Sequence, residues 1–114
     1  MKRRHEPSLD EILQLKPVRG NFKWERGEDG NIILIVPKFK SNIGKWLCKA
    51  LGKKETFIAH LDRIGSAVWE QCDGKTTVER ILKTLKEKFP DEKDLDQRLV
   101  YYLFKLKELG YISI

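Results

Sequence analysis

The chain has 114 residues, of which 40% are hydrophobic and 35% are charged, and its formal net charge is +6. This length and apolar share predict a folded domain with a modest core and exclude a disordered chain. The longest apolar run, Ile32–Val36, is far too short to span a bilayer, and no secretory signal follows the basic N-terminus. We therefore expect a cytoplasmic protein without a membrane span, in which Cys48 and Cys72 are free thiols.

The positive charge is concentrated in the first half of the chain. Residues 1–54 contain 13 Lys or Arg and 6 Asp or Glu, whereas residues 55–114 contain 10 and 11. Lys38–Lys54 holds six lysines and no acid, and we interpret it as a basic insertion. Such a segment can attract nucleic acid, an anionic membrane or an acidic protein, and charge does not choose among them. Its amphipathic turn over residues 45–51 can touch a membrane or a partner, but the interpretation we favour is that it packs onto its own domain, with Gly52 as its cap.

The first elements predicted are a short helix and a hairpin. Residues 1–20 form an N-terminal arm with a helix near 9–15, which a Ser8–Glu11 capping box begins. Residues 22–26 alternate apolar and polar side chains and predict a half-buried strand. A turn at 27–31 leads to the continuously apolar strand 32–36, which we expect to be covered on both faces.

A third strand and three helices follow. Residues 55–60 predict the strand, and Asp62 caps a helix that reaches about Cys72. Thr76 and Glu79 form a capping box for the second helix, and the third runs from about 92 to 109 before a short final strand at 111–114. The fold class predicted is α+β and winged-helix-like, a small three-stranded antiparallel sheet packed on a three-helix cluster, within one domain over 21–114.

No residue pattern indicates catalysis or a cofactor. The two histidines, His5 and His60, stand in an arm and at a strand end, away from any evident nucleophile. Four Cys and His residues scattered along the chain lack the paired spacing of a structural zinc site. The glycines are single turn residues rather than a phosphate-binding loop. We therefore predict that the chain is not an enzyme and binds no metal.

The surface with most functional promise is an open sheet edge. An unpaired edge strand can bind an extended peptide through its backbone. We expect a groove between the third strand, residues 56–60, and the last helix. On that helix Tyr101 can pack on a peptide while Arg98 and Lys105 meet its acids. The equally weighted alternative is a solvated helix face whose cations pair with nearby acids.

The segment LDRIGSAVWEQCDGKTTVERILKTLKEKF and the ending KELGYISI resemble the pyrroloquinoline quinone biosynthesis protein D (PqqD-like) family. The resemblance covers about Thr56–Ile114 and extends loosely to residues 16–19 and the hairpin. The residues that carry it are Asp62, Asp73, Gly74, Thr76, Thr77, Val78, Ile81, Leu106 and Gly110. The basic insertion departs from the family pattern, and the chain has no cysteine triad for a cluster.

The resemblance implies a peptide chaperone with a winged-helix-like fold. Such a protein binds the leader of a ribosomally made precursor peptide and presents it to a modifying enzyme, typically a radical S-adenosylmethionine enzyme. The leader adds as a strand between the third strand and the last helix. The implied site residues are Thr56, Phe57, Ile58, Ala59, His60, Arg98, Tyr101, Tyr102 and Lys105. Pyrroloquinoline quinone itself is not implied, because one fold serves many peptide pathways.

Two other functions stay open. A basic winged-helix-like domain can bind nucleic acid, although the acids among the lysines of residues 78–89 disfavour this. The chain can also be a structural partner that forms a homodimer through an edge strand.

Overall fold

The computed structural model describes residues 8–37, 46, 49–52 and 56–114. The helices are α1 (Leu9–Leu13), α2 (Arg63–Gln71), α3 (Val78–Lys88) and α4 (Leu95–Glu108), and the strands are β1 (Val18–Arg19), β2 (Lys23–Arg26), β3 (Ile32–Pro37), β4 (Thr56–His60) and β5 (Ile112–Ser113). Strands β2, β3 and β4 form an antiparallel sheet in that order, and β1 pairs with β5. The predicted α+β class with a three-stranded antiparallel sheet is confirmed. The N-terminal residues 1–7 and most of the basic insertion lie outside the described residues.

The chain divides into two compact units, and α2 crosses from one to the other. We call Asn21–Ser66 the sheet unit, and Met1–Gly20 with Ala67–Ile114 the helical unit. Each is described by itself.

In the sheet unit, β3 supplies the buried centre. Ile32, Leu34 and Val36 are buried, while Ile33 and Ile35 on the opposite face are partly covered. The expectation of cover on both faces therefore holds fully for one face and partly for the other. The alternation follows from the period of a strand, in which successive side chains point to opposite faces.

Strand β2 differs from its prediction. The predicted strand is present, but all four of its residues are exposed, with Trp24 at 40%, so the expected half-burial is wrong for them. The physical reason is its place at an edge of the sheet, where only β3 flanks it within the described part of the chain. The turn is as predicted: Gly30 has a φ of +84°, and an Asp29 carboxylate oxygen accepts from the Asn31 amide at 2.9 Å.

Polar side chains fix the start of α2 and its link to the sheet. Asp62 caps the helix as predicted, since its Oδ1 accepts from the Gly65 amide at 2.7 Å. One turn later the buried Ser66 hydroxyl accepts from the Ile32 amide at 2.7 Å. This bond satisfies a backbone donor at the beginning of β3 and ties that strand end to the helix.

The helical unit buries apolar stripes from three helices. In α3 these are Val78, Ile81 and Leu85, and in α4 they are Leu95, Leu99, Leu103 and Leu106. The end of α2 adds Ala67, Val68, Trp69 and Cys72. The stripes of α3 and α4 follow the helical period. In α2, Trp69 is buried as well, because this helix is buried around most of its circumference.

Residues 15–20 are hydrogen-bonded to the rest of the helical unit. Backbone bonds of 2.7–2.9 Å join Pro17 to Gly74, and Arg19 to Cys72. The Arg19 guanidinium also donates to the carbonyls of Trp69 at 3.1 Å and Glu70 at 2.7 Å. It therefore caps the C-terminal end of α2, where the helix dipole favours a cation. The β1–β5 pair was not predicted as a sheet.

The turn before α3 corrects one predicted cap. The Asp73 carboxylate accepts from the amides of Lys75 and Thr76, each at 2.9 Å, and from the Thr76 hydroxyl at 3.1 Å. Thr76 is thus part of this turn, and Thr77 caps α3 by accepting from the Arg80 amide at 3.2 Å. The prediction of Thr76 as the cap was wrong by one residue, because Asp73 binds its hydroxyl.

The basic insertion also departs from expectation where it is described. Trp46 and Leu51, from the apolar stripe, are 66% and 64% exposed, and Ala50 is exposed as well. These side chains do not pack onto their own domain, so that interpretation is wrong for them. Gly52 has a φ of +68°, which agrees with its predicted capping position.

Candidate functional site

Strand β4 forms one edge of the three-stranded sheet. It pairs with β3 from Pro37↔Thr56 to Ile33↔His60. On its other side no strand pairs with it among residues 8–37, 46, 49–52 and 56–114. This edge is the sheet part of the predicted site.

The ladder shows which backbone groups face outward. The Leu61 amide donates to the Ile32 carbonyl at 3.0 Å, so Leu61 opposite Ile32 is a hydrogen-bonded position. Hydrogen-bonded positions alternate along an antiparallel pair. Phe57 and Ala59 therefore turn their backbone groups toward β3. Those of Thr56, Ile58 and His60 point away from it, toward the open edge.

The side chains of β4 alternate between the two faces of the sheet. Phe57 and Ala59 lie opposite Val36 and Leu34, on the face that β3 buries. Phe57 is nevertheless 42% exposed. An apolar side chain at an open edge of the buried face is suited to contact a further strand.

The other face of β4 carries Thr56, Ile58 and His60, all exposed. Ile58 is 58% exposed and stands directly opposite the partly covered Ile35. This face therefore presents apolar surface next to the outward backbone groups.

The predicted cations of α4 both have acidic neighbours. The Arg98 guanidinium donates to the Glu92 carboxylate at 2.9 Å, and Lys105 Nζ lies 4.0 Å from a Glu108 carboxylate oxygen. These contacts are those of the solvated-face alternative. They leave the peptide-binding prediction untested. The Lys105–Glu108 pair is exposed, and such pairs add little stability, whereas the Arg98–Glu92 pair is part-buried.

The aromatic residues of α4 differ in their exposure to solvent. Tyr101 is 65% exposed, whereas Tyr102 is partly buried. Their rings meet edge to face with centroids 6.2 Å apart. Phe104, one turn after Tyr101, is 41% exposed and was missed by the sequence analysis. The available signal was an aromatic residue outside the core stripe of the helix.

The nine predicted residues belong to separate units. Thr56, Phe57, Ile58, Ala59 and His60 lie in the sheet unit, and Arg98, Tyr101, Tyr102 and Lys105 lie in the helical unit. Within each unit they share one element, β4 or α4. The groove between the two elements stays a prediction.

The described residues offer little for covalent or metal chemistry. Burial raises the pKa of the Cys72 thiol to about 12, so it stays protonated at neutral pH. No group of His, Cys, Asp and Glu able to hold a metal ion occurs within the described ranges. A pocket of about 400 Å³ in the helical unit is lined by Lys86, Phe89, Pro90, Glu92, Asp94, Leu95 and Asp96. Among the helices that the structure describes, none is long and apolar enough to cross a membrane.

The comparisons with known proteins agree with the resemblance. A sequence model of the family "Coenzyme PQQ synthesis protein D (PqqD)" matches residues 51–112, which is more than half of the chain. The chain belongs to the PqqD family. The match includes β4, all of α2, α3 and α4, and the start of β5.

A curated relative extends the similarity to nearly the whole chain. The PqqA binding protein of Acinetobacter baylyi is 26% identical over 109 residues, which are 93% of this chain and 91% of the relative. No solved structure matches the chain.

Proposed function

We propose that this PqqD-family chain binds the leader of a ribosomally synthesised precursor peptide and presents it to a modifying enzyme of the radical S-adenosylmethionine type. Three facts support the proposal: membership of the family, the relative named for binding PqqA, and the open edge of β4. A non-catalytic role also fits the chemistry of the described residues, in which Cys72 is an inert thiol.

The open edge carries the proposal for how the peptide binds. The outward backbone groups of Thr56, Ile58 and His60 can pair with an extended segment of about five residues. Each such hydrogen bond adds roughly 0.5–1.5 kcal/mol net. The bonds are independent of side chains, so β4 supplies affinity while neighbouring side chains supply selectivity.

The exposed face of α4 is proposed as a second contact for the same peptide. Tyr101 and Phe104 present exposed apolar surface that the core does not need, because the leucines of α4 already fill the core. Arg98 and Lys105 then exchange Glu92 and Glu108 for acids of the peptide. Tyr102 supports Tyr101 from the side.

The test of strand addition uses proline, which removes one amide and blocks pairing at that position. The Ile58 amide faces the open edge, so Ile58→Pro leaves the bonds to β3 in place, and edge strands tolerate proline. We expect fluorescently labelled PqqA peptide to bind the wild-type protein and to bind Ile58→Pro at least about ten-fold more weakly, given the lost bond and the steric block.

The matched control is Trp24→Pro on β2, the other edge strand of the sheet. Circular dichroism verifies that both variants are folded. If Trp24→Pro weakens binding as much as Ile58→Pro, or if neither does, strand addition at β4 is wrong. If the wild-type protein binds neither the PqqA peptide nor other leader peptides at high micromolar concentration, the proposed function itself fails.

The contact with α4 is tested by a double-mutant cycle. Tyr101→Ala and Phe104→Ala are each combined with a peptide truncated at single side chains, and coupling appears only where two groups touch. Leu9→Ala is the control, because Leu9 is 61% exposed and Tyr101 is 65% exposed. If the coupling energy between Tyr101 and the peptide is no larger than that of Leu9, α4 does not contact the peptide.

A further inference from the structure

We propose that Glu92 is an internal competitor of the leader peptide, because its carboxylate binds the same Arg98 guanidinium that an acidic side chain of the leader binds. The inference rests on the proposed function and deepens it, since it concerns how the contact with α4 is regulated. An acid of the leader has to displace Glu92 from Arg98 before it can form its own ion pair.

The Arg98–Glu92 contact is the tighter of the two ion pairs among the candidate residues of α4. The guanidinium donates to a Glu92 carboxylate oxygen at 2.9 Å, and the pair is part-buried. Lys105 Nζ and the nearest Glu108 oxygen are 4.0 Å apart, and both residues are exposed. A short charge-assisted hydrogen bond that is partly shielded from water is stronger than a long exposed ion pair. Competition is therefore stronger at Arg98 than at Lys105.

Backbone hydrogen bonds place both partners without holding their side chains together. The Glu92 amide donates to the Phe89 carbonyl at 3.1 Å, and the Arg98 amide donates to the Asp94 carbonyl at 2.9 Å. Neither bond involves the two charged groups, so rotation about side-chain bonds separates them. An acid of the leader can thus replace Glu92 while the turn before α4 and the first turn of the helix stay folded.

The competition reduces the preference for acid that Arg98 imposes on the peptide. When a carboxylate of the leader replaces Glu92, one ion pair forms and another is lost, so the net gain is small. The affinity for an acidic leader is lowered in proportion to the fraction of molecules in which Glu92 occupies Arg98. An uncharged side chain at the same place leaves the internal pair intact and does not undergo this exchange.

The test compares Glu92→Gln with Glu87→Gln as a matched control. Both substitutions remove one negative charge and keep the size of the side chain, and Glu87 is exposed in α3 of the same unit. We expect the PqqA peptide to bind Glu92→Gln about two- to six-fold more tightly than the wild-type protein, as the loss of a competing ion pair of this kind predicts. Glu87→Gln should bind as the wild-type protein does. A PqqA peptide whose Asp and Glu are replaced by Asn and Gln should not distinguish Glu92→Gln from the wild-type protein.

Arg98→Gln separates competition from a general effect of charge. Competition predicts that the double variant with Arg98→Gln and Glu92→Gln binds the PqqA peptide no more tightly than Arg98→Gln alone. Circular dichroism verifies that each variant is folded. If Glu92→Gln does not fold, Glu92→Asp takes its place, because it keeps the charge and draws the carboxylate back by one methylene.

The outcomes distinguish this inference from the proposed function. If Glu92→Gln tightens binding equally in the Arg98→Gln background, the gain comes from net charge and the inference is overturned. If Glu92→Gln binds the PqqA peptide as weakly as the wild-type protein or more weakly, the inference is overturned and the proposed function stands. If the wild-type protein binds neither the PqqA peptide nor other leader peptides, the proposed function fails and the inference with it.

Discussion

The hydrogen bond between the Ser66 hydroxyl and the Ile32 amide gives the strictest test of what holds β3 in place. Its Oγ accepts from the Ile32 amide at 2.7 Å, and both residues are buried, with Ile32 fully inaccessible. Ser66→Ala removes the acceptor and leaves a buried amide without its partner. Water cannot readily replace the oxygen at a site with so little accessible surface.

The size of the effect follows from two opposing contributions. Leaving a buried donor unsatisfied costs about 1–3 kcal/mol, and alanine regains about 0.5 kcal/mol because it is the better helix former. We therefore expect Ser66→Ala to lower the free energy of unfolding by about 0.5–2.5 kcal/mol. For a chain of this size the melting temperature should fall by roughly 4 °C per kcal/mol.

Urea and thermal unfolding followed by circular dichroism measure this loss. The control is Thr84→Ala, which removes a hydroxyl that donates to the Arg80 carbonyl at 3.1 Å on an exposed helix face. That variant should stay within about 0.5 kcal/mol of the wild-type protein. A Ser66→Ala protein as stable as Thr84→Ala would refute the claim that this bond secures β3.

Two further predictions concern the turn that begins at Asp73. Gly74→Ala should destabilise the protein by more than about 1 kcal/mol, because Gly74 has a φ of +78° and an added Cβ would lie 3.1 Å from a Val18 methyl group. Gly30→Ala, with a φ of +84° and no atom within 4 Å, isolates the backbone part in the same unfolding assay, and equal losses would contradict the contact with Val18. Hydrogen bonds from the amides of Lys75 and Thr76 lower the pKa of Asp73 below its ordinary 3.8. The carboxylate therefore stabilises the fold above pH 3.8, and this stabilisation is lost as pH falls through the folded pKa. Asp73→Asn should make the free energy of unfolding depend less on pH in the acid range. An unchanged pH dependence would contradict a stabilising role of this carboxylate.

Periodic patterns predicted the larger elements well. The stripe of leucines in α4 and the apolar run of β3 each specify both an element and its buried face. The β1–β5 pair could not be predicted in this way, because strands of two residues have no periodicity and their partners lie far apart in sequence. The cap of α3 was displaced by one residue, since two threonines stand side by side and only the turn at Asp73 distinguishes them.

The two elements that carry the candidate residues, β4 and α4, were predictable from the sequence, but the surroundings of those residues were not. The strand and the last helix follow from pattern and family resemblance. The acid partners of Arg98 and Lys105 depend on the local geometry of α4 and the turn before it. Phe104 is exposed because it lies outside the stripe of leucines that α4 buries.

Amide hydrogen exchange along β4 tests the central claim most directly. Phe57 and Ala59 turn their amides toward β3, whereas those of Thr56, Ile58 and His60 point to the open edge. Without peptide, Phe57 and Ala59 should exchange slowly and the other three quickly. Saturating PqqA peptide should slow the exchange of Thr56, Ile58 and His60 selectively, in an alternating pattern. Binding that leaves these three amides unprotected would contradict strand addition at β4.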